Sequence, residues 1–239
     1  MKTVSQKWTS FSLFYAAIIM MVVGYLNFME PYDPIPSAVP SATQILLWTS
    51  LYLPTMVLPF FPQHSPEQVG LGFNKNMVLV AMLSSLLCGL MTLSHQATWI
   101  AAGFEAFART GEEFFFRGTI YFLLEALFAS KRHPWLWAVI GSAFLFTLIH
   151  TQTFQISYLG TLGDSPLLYR IIERLFNIFL IAIVIAFIRY WTKSILPGAI
   201  IHGMLNAGVM TLPFTLLFYV AGWLWLNKFK PRFAMISTI

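Results

Sequence analysis

Charge is what this sequence has least of. Only 10% of its 239 residues are Asp, Glu, Lys or Arg, against 58% hydrophobic. A soluble domain carries roughly 25% charge and about 45–50% apolar residues. This composition therefore excludes a water-soluble globule and predicts a polytopic, all-α membrane protein. Cysteine is nearly absent: Cys88 stands alone, which excludes an intrachain disulfide. Basic clusters are missing too. The net charge of +5 is spread as single Lys and Arg residues between apolar runs, which is a topology signal and not a nucleic-acid surface. There is no internal repeat of the kind that many transporters carry. The apolar run from Phe11 to Phe28 has no small-residue cleavage site, so a retained first helix is expected.

What is present is a series of apolar runs. With about 20 residues needed per span, the sequence predicts eight transmembrane helices, near 11–28, 43–62, 77–94, 110–129, 135–150, 170–188, 194–210 and 212–226. They form a single membrane domain over 1–239. The segment 97–109 reads as an amphipathic, interfacial lead-in to the fourth helix. Residues 151–169, with Gly160 and Gly163, form a polar loop that reads as a gate. With the N-terminus inside, the inner loops hold Lys2, Lys7, Lys75, Lys131, Arg132, Arg189, Lys193, Lys228, Lys230 and Arg232. That bias predicts both termini on the cytoplasmic side.

Against this background, Gly111-Glu112-Glu113-Phe114-Phe115-Phe116-Arg117-Gly118 stands out. A charge in hydrocarbon costs on the order of 2.5–3.5 kcal/mol even on the lenient insertion scale. On a helix Glu113 and Arg117 are i and i+4 and can pair. Glu112 projects about 100° away and is expected to stay free for a substrate or a water, as a buried general base must. A structural ion pair is the competing explanation for Glu113 and Arg117. His150 ends the fifth predicted helix, in Phe146-Thr147-Leu148-Ile149-His150. His202 and Asn206 share a face of the seventh, as i and i+4. Following the alternation of helices, Glu112, His150, His202 and Asn206 all fall in the non-cytoplasmic half of the bilayer. Glu105 and Arg109 read as an interfacial i, i+4 pair, and Arg170, Glu173, Arg174 and Asn177 as a solvated helix end.

At these residues the chain resembles the CPBP/Abi intramembrane proteases, a family that includes the eukaryotic CAAX-prenyl endopeptidase. The motif trio Glu-Glu-x-x-x-Arg, Phe-x-x-x-His and His-x-x-x-Asn occurs in order as Glu112-Glu113…Arg117, Phe146…His150 and His202…Asn206. The motif-bearing core covers about 110–210. The resemblance implies an endopeptidase in a membrane, expected to be a bacterial or archaeal cytoplasmic membrane, acting on a membrane-associated peptide or protein. It implies that Glu112 and His150 activate a water, that His202 and Asn206 form the oxyanion hole, and that Glu113 and Arg117 brace Glu112. No cofactor is favoured. Zinc on Glu112, His150 and His202 is the alternative, although His-Glu-x-x-His is absent. Gly-x-Ser-x-Gly is absent as well, which disfavours a serine nucleophile. The competing functions are a non-catalytic scaffold or immunity-type protein of the same fold and, less well supported, a small-solute transporter.

Overall fold

The computed structural model describes residues 17–22 except 19, and 42–57, 66–92, 97–150 and 166–234. Helices dominate them: α1 (Ala42–Val57), α2 (Lys75–Thr92), α3 (Trp99–Glu113), a π-helical segment (Phe114–Ile120), α4 (Tyr121–Leu127), α5 (Pro134–Leu148), α6 (Leu167–Thr192), α7 (Leu196–Ala207), a 3-10 turn (Val209–Thr211) and α8 (Leu212–Ala234). The all-helical expectation holds; among the described residues the only extended pairing is one isolated bridge, Leu71 to Ser194. The expected count of eight spans is not reproduced. Three helical stretches are long and apolar enough to cross a membrane, Lys75–Thr92, Leu167–Thr192 and Val209–Lys228, while Pro134–Leu148 is shorter. The chain is an integral membrane protein. Most of the predicted first helix, and residues 151–165 of the expected gate at 151–169, lie outside the described residues.

Two expectations need correction. The segment 97–109 is not a separate lead-in, because α3 runs straight into the π segment and α4. Its start is set by Thr98, whose hydroxyl accepts from the Ala101 amide, as an N-cap does. The seventh helix is also no span: α7 has 12 residues, about 18 Å at the α-helical rise, against a hydrocarbon core of about 30 Å. Pro197 opens it and Gly208, at φ 82°, closes it. It is packed against α2, α3, α6 and α8, which places His202 within protein and leaves Asn206 exposed.

The π segment has identifiable causes. A helix keeps i→i+4 bonding unless outside donors take its carbonyls or a residue is inserted. Here the Thr55 hydroxyl of α1 donates to the Phe114 carbonyl at 2.6 Å, and Arg189 Nε of α6 donates to the Arg117 carbonyl at 3.1 Å. Every residue of the segment is buried.

Arg189 was placed by sequence in a cytoplasmic loop; instead it is 2% exposed. Besides Arg117, its guanidinium donates to the carbonyls of Glu67 (3.3 Å) and Gln68 (2.5 Å) and lies over the Tyr121 ring. Gly70 makes room for it: at φ +83°, a Cβ there would sit 2.7 Å from Arg189 Nε. Nearby, Asn74 caps two helices at once. Its Oδ1 accepts from the Met77 amide at the start of α2, and its Nδ2 donates to the Thr192 carbonyl at the end of α6. Replacing Arg189 orphans buried carbonyls, a penalty of about 1–3 kcal/mol each. Arg189→Met should therefore lower the thermal midpoint of the detergent-purified protein markedly; an unchanged midpoint would contradict its role as the tie between these segments.

Candidate active site

The C-terminal turn of α3 and the π segment present Glu112, Glu113 and Arg117 to the interior. Glu113 and Arg117 are both fully buried, with Arg117 Nη1 3.3 Å from Glu113 Oε1. The protein itself, not a lipid boundary, shields this pair. The guanidinium also donates to the Ala182 carbonyl of α6 at 3.4 Å and sits 4.2 Å above the centre of the Phe146 ring. A desolvated cation–π contact of this kind contributes about 2 kcal/mol.

From α7, His202 reaches both carboxylates. Its Nδ1 lies 3.1 Å from Glu113 Oε1 and its Nε2 lies 3.5 Å from Glu112 Oε2. A carboxylate only accepts, so the proton of the Nδ1 contact belongs to the ring. α7 comes this close because residue 198 is glycine: a Cβ there would stand 2.6 Å from Ile185 Cγ2 and 3.2 Å from Glu113 Oε2. Phe146 joins the two histidines, with ring centroids 5.7 Å from His202 and 4.6 Å from His150. At the end of α5, His150 Nδ1 is 2.8 Å from the Phe146 carbonyl. That carbonyl can only accept, so Nδ1 donates and the neutral ring is left with Nε2 as an acceptor. His150 is within electrostatic reach of Glu112.

The structure thus brings Glu112, Glu113, Arg117, His202 and, through Phe146, His150 into one cluster. Asn206 is exposed one turn beyond His202 on α7.

One expectation fails here. Glu112 is not unpaired: Arg109 Nη1 stands 2.6 Å from its Oε1. Arg109 does pair with Glu105, Nε to Oε2 at 3.0 Å, but that pair is the outer part of a longer ladder and not an isolated interfacial contact. The spacing 105, 109, 112 is i, i+4 and i+7, one helix face, and that signal was available. The second oxygen, Glu112 Oε2, is buried and has no hydrogen-bond partner among the described residues.

Among the described residues no group of three or more His, Cys, Asp or Glu side chains is placed to hold a metal ion. A guanidinium occupies one oxygen of Glu112, and His202 turns one nitrogen to Glu113.

Residues 96–208 match the family model described as Type II CAAX prenyl endopeptidase Rce1-like. No curated protein and no solved structure matches the chain.

The close approach at Gly198 makes a direct test of this packing. Gly198→Ala forces α7 away from α6 and Glu113, and overpacking of this kind costs about 1–3 kcal/mol. A lowered unfolding midpoint in detergent is the expected outcome, and an alanine variant as stable as the parent would contradict it.

Proposed function

Taking residues 96–208 as a domain of the Rce1-like protease family, we propose that this protein is an intramembrane endopeptidase. It hydrolyses a peptide bond of a membrane-associated peptide or protein with a water activated by Glu112. The observation that carries this reading is the state of Glu112: one oxygen is held by Arg109, and the other is buried, unpartnered and turned to His202. Glu113 Oε2 also lacks a hydrogen-bond partner among the described residues, so what sets Glu112 apart is that its open oxygen faces His202 Nε2.

In the proposed reaction Glu112 Oε2 accepts a proton from a water, and His150 Nε2 holds that water as a second acceptor. The hydroxide adds to the scissile carbonyl carbon. The developing oxyanion is met by His202 Nε2–H and the exposed Asn206 amide. Donation from both ring nitrogens makes His202 a cation, which Glu113 offsets at Nδ1. Protonated Glu112 then returns its proton to the leaving nitrogen as the C–N bond breaks. Glu113 and Arg117 take no part in proton transfer and fix the ring and the helix. Enclosure by protein strengthens each of these interactions, as a water-poor site does.

The scaffold reading differs in one consequence: it has no use for an ionised Glu112. Glu112→Gln keeps the shape and removes the base. Cleavage of a membrane-anchored peptide by protein reconstituted in liposomes should fall by about 10²–10⁴-fold, the usual contribution of a general base, in a variant that still folds and loses only the stability of the charged Arg109 contact. Undiminished cleavage by the folded variant would exclude Glu112 as the base.

A further inference from the structure

We infer that Arg109 is a positioning residue of this site, acting on Glu112 and not on substrate. The inference rests on the peptidase reading above. Arg109 lies three residues before Glu112 on α3, outside the Glu-Glu-x-x-x-Arg unit. Its guanidinium is clamped from two sides, with Nε on Glu105 Oε2 at 3.0 Å and Nη1 on Glu112 Oε1 at 2.6 Å. Its side chain is 23% exposed, as against the fully buried Arg117. Glu105, at 25%, lies at the same boundary.

This arrangement decides which oxygen of Glu112 is available. A carboxylate among two guanidinium groups and two imidazoles has several places to go, since Arg109, His202, His150 and Arg117 all act on it. Arg109 takes Oε1 in a short, charge-assisted contact, and that leaves Oε2 toward His202 Nε2. Glu105 in turn stops the long Arg109 side chain from swinging out, which costs an unrestrained arginine little. The string Glu105–Arg109–Glu112–His202–Glu113–Arg117 alternates acid with base along its whole length. Removing Arg109 breaks it next to the reacting oxygen, and leaves Glu112 to be drawn toward His202 or Arg117. A misplacement of about 1 Å at a reacting group costs on the order of 10²-fold in rate. A residue that aims the base and does not touch substrate should change kcat and spare KM.

The test joins turnover to stability. Arg109→Met and Arg109→Lys are assayed for kcat and KM on the same membrane-anchored peptide in liposomes. Unfolding midpoints are measured for Arg109→Met, Glu112→Gln and the double variant. Arg109→Met is expected to lose about 10²-fold in kcat with KM within about twofold, and Arg109→Lys to recover part of that loss. The midpoint loss caused by Arg109→Met should shrink when Glu112 is already glutamine, because the partner has lost its charge. An unchanged kcat, a loss confined to KM, or an equal midpoint loss in both backgrounds would overturn the inference. If the parent protein cleaves nothing while the midpoints still couple, the peptidase reading falls, and Arg109 is a purely structural tie.

Discussion

A carboxylate and a guanidinium at zero exposure, Glu113 and Arg117, are the constraint from which the rest of this structure follows. Removing two charges from water costs several kcal/mol per ion, and their mutual attraction offsets this only with good geometry and further partners. Three other helices supply partners, although Arg117 Nε and Nη1 and Glu113 Oε2 make no hydrogen bond among the described residues. Phe146 lies under the guanidinium, the Ala182 carbonyl accepts from it, and His202 shares Glu113. Four segments distant in sequence are therefore held to one point: the turn joining α3 to the π segment, the end of α5, the middle of α6 around Ala182, and α7. The backbone is held as well, because Arg189 fastens the Arg117 carbonyl while Thr55 fastens that of Phe114.

Such a frame is unusually stiff for its surroundings, and stiffness is what a base needs. Glu112 sits on the helix that carries the buried pair but projects from a different side of it, with one oxygen bound and one open. Breaking a buried pair by removing one partner leaves an uncompensated charge and is costly, whereas replacing both by apolar groups is often tolerated. Packing alone would therefore be as well served by two aliphatic side chains at 113 and 117. What two such side chains would lose is the hold on His202 Nδ1, and with it the direction of Nε2 toward Glu112. The π segment, directly after the two glutamates, belongs to the same economy of purpose; single π turns recur at functional sites.

Much of the architecture was legible in the apolar runs. The predicted helix at 77–94 is Lys75–Thr92, and that at 135–150 is Pro134–Leu148, because a hydrophobic run marks each and Pro134 opens the second. The charged unit was legible as well, since Glu113 and Arg117 meet as their spacing implies. Four things were not. The π segment leaves no mark in composition, because its causes are donors on α1 and α6. Arg189 looks like any flanking arginine until the 66–72 turn is folded onto it. Arg109 was separated from Glu112 only by a helix boundary drawn at residue 110, and α3 has none there. The short α7 was read as a span because Leu196 to Ala207 is apolar enough to be one; only its length and its protein surroundings show otherwise.

The central claim is that Glu112 acts on water and does not itself attack the peptide. Hydrolysis in H2(18)O under single-turnover conditions, followed by mass analysis of both the product and the protein, tests this directly. The account predicts one heavy oxygen in the new carboxyl terminus of the product and none in Glu112. Heavy oxygen appearing in the Glu112 side chain would mean that the carboxylate had formed an anhydride with the substrate, and would contradict it.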